Sequence, residues 1–101
     1  VHRLAVFDDE LYSLFVEKLG GNDNYKRLHL IDSLNVYLTE LIRQPSTEEV
    51  FKTMNNLERL DKWIDNQYVC ESDGLRKYTY KTAAEKLSEL INTMKRKYGI
   101  S

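Results

Sequence analysis

The sequence predicts a mostly α-helical fold: a single four-helix domain over residues 1–101, with residues 67–80 as the candidate for a short β-hairpin before the last helix. One proline and four glycines among 101 residues force few breaks in a helix. Hydrophobic residues make up 42% of the chain, enough to form a core and to argue against disorder. Apolar residues also recur every three or four positions, as one face of a helix requires.

The first helix is predicted from about Asp9 to Leu19. Asp8 or Asp9 is suited to accept hydrogen bonds from the unpaired N–H groups of its first turn. Gly20 and Gly21 end it, because glycine enters the left-handed conformation that often closes a helix. Its apolar face carries Leu11, Leu14, Phe15 and Leu19.

The second helix is predicted to start after Asn22 or Asp23, either of which can cap it, and to continue to about Gln44. It is expected to be the central helix, since its apolar stripe is long: Leu28, Ile31, Leu34, Leu38 and Leu41. Pro45 then breaks the chain. Because this break is short, the third helix is expected to fold back antiparallel to the second.

The third helix begins with a capping box, Ser46 followed by Glu49. Its apolar face is formed by Val50, Met54, Leu57, Leu60, Trp63 and Ile64. Asn55 and Asn56 are poor helix formers. Two interpretations of residues 46–66 therefore stay open, one continuous helix or a helix-turn-helix.

The fourth helix shows the clearest periodicity: Tyr80, Ala83, Ala84, Leu87, Leu90, Ile91, Met94 and Tyr98. Thr79 is predicted to cap it and Gly99 to end it. Three cations, Lys95, Arg96 and Lys97, fall in its last turns, where positive charge complements the helix dipole.

Residues 67–80, QYVCESDGLRKYTY, do not show a helical pattern. Tyr68, Val69 and Cys70 have the composition of a short strand, and Gly74 suits a turn. A β-hairpin and a plain connector between helices are the two interpretations.

The segment around this stretch, residues 57–91, resembles a winged-helix regulator. LDKWIDNQYV is similar to the end of a recognition helix that enters the first wing strand, and LRKYTYKTAAEKL to the second wing strand and last helix. The resemblance implies DNA binding with Arg76 and Lys77 on the wing. Gln67 stands where the family has glycine, and the acids of residues 47–66 outnumber the bases, which disfavours contact with phosphates.

A second resemblance is to the N-terminal helical domain of transcription elongation factor S-II. It involves STEEVFKTMNNLERLDKWI and YKTAAEKLSELINTMKRKYG. The matching elements are Thr47, Phe51, Thr53, Leu60 and the last helix, although a glycine-valine step is missing and residues 66–78 would be an insertion. The resemblance implies a helical bundle that docks short disordered peptide motifs of partners.

No catalytic constellation is recognisable, so we predict no enzyme activity, no cofactor, no metal site and no small-molecule substrate. Cys70 is the single cysteine, which excludes an intrachain disulfide and a cysteine-based zinc cluster. It indicates a reducing compartment, cytoplasm or nucleus. His2 and His29 lie far apart in sequence, and no apolar run is long enough to span a membrane.

The function predicted from these patterns is a non-enzymatic interaction module that binds a protein partner, or itself as a dimer, through helical apolar faces. The alternative is a winged-helix DNA-binding regulator of transcription or replication. Seven tyrosines and a basic last third fit a partner surface, and two plain solvated faces with tyrosines at the rim of the core are the alternative. The predicted partner-binding residues are Tyr68, Arg76, Lys77, Tyr78, Lys81, Lys95, Arg96 and Lys97.

Overall fold

The computed structural model describes residues 6–21, 23–41 and 46–99 of the chain. Within these residues there are four helices and no strand: α1 (Asp9–Leu19), α2 (Asn24–Leu41), α3 (Thr47–Cys70) and α4 (Gly74–Tyr98). The mostly α-helical, four-helix prediction is confirmed. The predicted Pro45 break and the end of the second helix near Gln44 lie outside the described residues.

Side-chain caps begin α1, α2 and α3 where the sequence places them. The Asp8 carboxylate accepts a hydrogen bond from the N–H of Leu11 at 3.1 Å, and α1 has the predicted bounds. The Asp23 carboxylate accepts the N–H of Lys26 at the start of α2, while the alternative cap, Asn22, lies outside the described residues. The Ser46 capping box at the start of α3 is also present.

The candidate β-hairpin at residues 67–80, one of the two interpretations of this stretch, does not form. The chain stays helical to Cys70, and α4 begins at Gly74 after a connection of three residues. Asp73 caps α4 by accepting the N–H of Arg76 at 2.9 Å, so the Asp-Gly pair starts a helix instead of forming a turn. Thr79 is not the cap, since it is buried inside α4 and its hydroxyl donates to the Leu75 carbonyl.

The third helix is one continuous rod, which resolves the open choice against a helix-turn-helix. Asn56 does not break it, because its side chain is buried and bonded. Its Nδ2 donates to the Phe7 carbonyl at 3.0 Å, and the Phe7 N–H donates to Thr53 Oγ1 at 3.2 Å. Two polar side chains of α3 thus hold the segment that leads into α1.

The four helices form a bundle in which α4 packs against α2 and α3, and α1 packs against the same two helices. Although α2 and α3 are consecutive, they lie diagonally and are not backbone neighbours in the described part of the chain. The interior is built from the predicted apolar stripes: Phe15, Leu19, Ile31, Leu34, Leu38, Val50, Met54, Leu57, Leu60, Ile64, Tyr80, Ala83, Leu87, Leu90, Ile91 and Met94. Leu14 departs from the prediction, being 41% exposed.

A charged side chain, Arg27 of α2, is also inside this core at 1% exposure. Its Nη1 donates to Asn24 Oδ1 at 2.7 Å, and its guanidinium carbon lies 4.9 Å from the centre of the Tyr80 ring. Its Nε and Nη2 are buried without a hydrogen-bond partner. Tyr80 also packs edge to face on Trp63, so one face of the first turns of α4 lies in the interior.

Candidate partner-binding site

The predicted partner-binding residues fall into two groups on the structure. Tyr68, Arg76, Lys77, Tyr78 and Lys81 lie around the α3–α4 connection, whereas Lys95, Arg96 and Lys97 form the last turn of α4. At 1.5 Å per residue, these groups are roughly 25–30 Å apart along α4. The structure therefore does not bring all eight residues into one site.

The last turn of α3 and the first turns of α4 face each other through an aromatic contact. Lys77 Nζ lies 4.8 Å from the centre of the Tyr68 ring, within the range of a cation–π interaction, and both residues are half-buried. Arg76 points elsewhere: its Nη2 donates to the Gly21 carbonyl at 3.1 Å and so ties α4 to the α1–α2 connection.

Three apolar side chains next to this contact remain exposed. Val69 lies at the end of α3, and Leu75 and Tyr78 lie three residues apart on the same face of α4. All three are more than half exposed, with Tyr78 at 64%. Large apolar side chains clustered on a surface are typical of interaction sites.

A groove between α3 and α4, of about 510 Å³, includes two of the predicted residues, Tyr68 and Lys81. We call it the α3–α4 groove; its other lining residues are Asp61, Asp65, Ala84, Glu85, Ser88 and Glu89. Sequence reasoning missed the four carboxylates. The signal was present, since the acids are spaced by four on each helix and so project from one face.

The groove is strongly acidic, with four carboxylates against one lysine. Burial, then the nearby charges of Asp65 and Glu58, raise the pKa of Asp61 above its usual range. Asp61 Oδ1 is buried and has no hydrogen-bond partner. None of the groove carboxylates takes part in the ion pairs Arg59–Asp9 and Lys86–Asp32 found among the described residues. A cationic group of a partner would be attracted electrostatically to these carboxylates.

The cations of the second group complete the end of α4. Gly99 adopts φ +68° and its N–H donates to the Lys95 carbonyl, so the predicted stop is confirmed. Arg96 Nη2 lies 3.4 Å from Thr93 Oγ1. These positive charges face the negative end of the helix dipole, which is a structural role by itself.

Side chains that could act as a nucleophile, a base or a metal ligand do not come together into a reactive site in the part of the chain that the structure describes. No three His, Cys, Asp or Glu side chains there are placed to hold a metal. Cys70 is an exposed free thiol, and His29 stacks on the Tyr25 ring at 6.3 Å. His2 lies outside the described residues. The absence of catalysis stays a prediction.

Comparison with known proteins finds no family model, no curated protein and no solved structure that matches this chain. The winged-helix resemblance implied strands at residues 67–80, and the helices found there contradict that fold. DNA binding itself stays an untested prediction. No helix among the described residues combines the length and the apolar character that crossing a bilayer would need.

Proposed function

We propose that this protein is a non-enzymatic interaction module that binds a protein partner across the ends of α3 and α4. The observation that supports this most directly is the exposed apolar trio of Val69, Leu75 and Tyr78, which lies at the ends of the two helices that form the α3–α4 groove. Burying such side chains against a partner gives about 25 cal/mol for each Å² of apolar surface removed from water.

The chemistry of the groove specifies the kind of partner. Its acidic walls favour a segment that carries arginine or lysine, and the exposed apolar trio favours neighbouring apolar or aromatic side chains. A second copy of the chain is included among such partners, because the end of α4 carries Lys95, Arg96 and Lys97.

The proposal is tested by selecting a displayed library of random peptides on the purified chain and measuring the affinity of the enriched peptides by fluorescence anisotropy. We expect basic, apolar-containing peptides, and about tenfold weaker binding after Tyr78→Ala. Tyr25→Ala is the matched control, since Tyr25 is an exposed helical tyrosine, 79% accessible, on α2. Failure to enrich peptides, or equal affinities for both variants, would contradict the proposal.

Sedimentation of the chain alone at micromolar concentration separates the two kinds of partner. If the chain is a dimer and Tyr78→Ala dissociates it, the partner is a second copy of the chain. If the chain is a monomer, the partner is a different protein. We also propose a reducing compartment, cytoplasm or nucleus, because the exposed thiol of Cys70 would be prone to oxidation elsewhere.

A further inference from the structure

A second groove runs between α1 and α2, away from the α3–α4 groove. It consists of two depressions of about 420 Å³ and about 330 Å³. Ser33, an exposed residue of α2, lines both of them, so the two depressions adjoin at this residue. We call the two adjoining depressions together the α1–α2 groove.

One half of the α1–α2 groove is apolar. Leu11 and Phe15 line it from α1, and Leu34 and Tyr37 line it from α2. Leu34 and Phe15 belong to the buried core, while Leu11 and Tyr37 are only partly covered. Water in this half of the groove therefore contacts mainly hydrocarbon and aromatic surface, and its release favours an apolar occupant.

The other half is cationic. Lys18 of α1 and Lys26 of α2 line it, and neither belongs to an ion pair among the described residues. The one carboxylate of its lining, Asp23, is already engaged in capping α2. Arg76 adds positive charge at the edge through its hydrogen bond to Gly21, which also lines the groove.

The two halves follow each other along the helix axes. Leu11 shares the apolar half with Tyr37, and Lys18 shares the cationic half with Lys26, so α1 and α2 run antiparallel. From residue 26 to residue 37 the groove extends roughly 17 Å, which is about three helical turns. An occupant therefore meets apolar surface first and positive charge one or two turns later.

We propose that the α1–α2 groove binds an acidic amphipathic helix of another protein, with apolar side chains in the apolar half and carboxylates against Lys18 and Lys26. Helix-in-groove docking uses apolar side chains at positions i, i+4 and i+7, about 10 Å of helix. The apolar half takes the first two, the third reaches Leu30 beyond Ser33, and the carboxylates follow within the roughly 17 Å of the whole groove. The carboxylates fix the direction of the helix, because reversing it places them on hydrocarbon. This surface is opposite in charge to the α3–α4 groove and does not depend on it.

The test uses a synthetic helical peptide of roughly 18 residues, with leucines at i, i+4 and i+7 and two glutamates one turn beyond, labelled for fluorescence anisotropy. A peptide with glutamine in place of both glutamates is the control ligand. We expect the acidic peptide to bind the wild-type chain with a dissociation constant in the micromolar range at low salt, and the control ligand to bind roughly tenfold more weakly.

Two protein variants locate the binding. The double variant Lys18→Gln, Lys26→Gln should weaken binding roughly tenfold, whereas the matched double variant Lys52→Gln, Lys62→Gln, at exposed positions of α3, should leave it unchanged. Ser33→Glu should abolish binding, because it adds bulk and negative charge at the centre of the groove without touching the core.

Several results would overturn the proposal. They are no binding of the acidic peptide, equal losses in the two lysine variants, which would indicate only net charge, and retained binding by Ser33→Glu. A homodimer that Ser33→Glu dissociates would also overturn it, by showing a second copy in the groove. None of these results bears on Tyr78, so this proposal and the one for α3 and α4 succeed or fail separately.

Discussion

Replacing Arg27 with methionine is expected to leave the free energy of unfolding within about 1 kcal/mol of the wild type, with a bias towards higher stability. Arg27 is a buried cation that has no carboxylate partner among the described residues. Methionine has a similar length and adapts its shape to irregular core space. The substitution therefore removes the charge while largely preserving the packing.

The expected magnitude follows from the contacts of the guanidinium. Nε and Nη2 are buried without partners, and each such group costs about 1–3 kcal/mol, so their removal stabilises by about 4 kcal/mol. The lost bond to Asn24 is worth about 1.5–3 kcal/mol, and the lost contact with the Tyr80 ring about 0.5–2 kcal/mol. The midpoints of gain and loss nearly cancel.

The assay is urea unfolding followed by the fluorescence of Trp63, the one tryptophan of the chain. Trp63 packs edge to face on Tyr80, next to Arg27, and so reports on this part of the core. Arg27→Ala is the companion variant and should lose about 2–4 kcal/mol, because it leaves a void. A loss of more than about 2 kcal/mol in Arg27→Met would refute the reasoning and show that the charge itself stabilises the fold.

Three further perturbations test other features of the structure. Ser46→Ala removes the capping box of α3 and should lower the free energy of unfolding by about 1 kcal/mol in urea; no change would mean that the helix start does not limit stability. Asn56→Ala leaves the Phe7 carbonyl without its donor and should cost about 1–3 kcal/mol, with faster amide hydrogen exchange in α1 and not in α4. Asp61→Asn should stabilise the protein at neutral pH by a few tenths of a kcal/mol, since it relieves burial of a charge and repulsion from Asp65. Because the pKa of Asp61 is raised in the folded state, the gain should shrink as pH falls through that pKa and vanish below about pH 4; a pH-independent gain would contradict this cause.

Local signals in the sequence predicted several helix ends but not all of them. The cap of α4 is Asp73 and not Thr79, and Gly20 ends α1 at φ −76°, without the left-handed conformation. Asp8, Ser46 and Gly99 act through hydrogen bonds within one turn of their own positions, so their roles do not depend on the rest of the fold. The apolar stripes were equally informative, because a helix of a small bundle must bury one face.

The failed hairpin shows where local signals run out. Aspartate before glycine suits both a tight turn and the start of a helix, and aromatic or β-branched neighbours such as Tyr78 and Thr79 favour a strand. The helix is favoured over the hairpin by contacts between residues far apart in sequence: Tyr80 packs on Trp63 and Arg27, and this places one face of the first turns of α4 in the core. Tertiary packing thus overrides local propensity here.

The candidate site was predicted only in part for a related reason. Single candidate residues such as Tyr78 and Lys81 can be identified from the sequence. A groove cannot, because its lining depends on which two helices pack together. A short break between helices suggests that neighbours in sequence pack together, yet α2 and α3 are diagonal and α4 separates them. The acids Asp61 and Glu85 come together through that pairing.

The connection of three residues between α3 and α4 has a consequence for how the protein assembles. A short loop costs little entropy to close. The pair α3 and α4, which has the most extensive contact in the bundle, should therefore form first during folding. Phe7, by contrast, must find Asn56, 49 positions away. We therefore expect α1 and α2 to pack only after α3 and α4 have paired. During synthesis on the ribosome, the core would then be completed only after α4 has emerged.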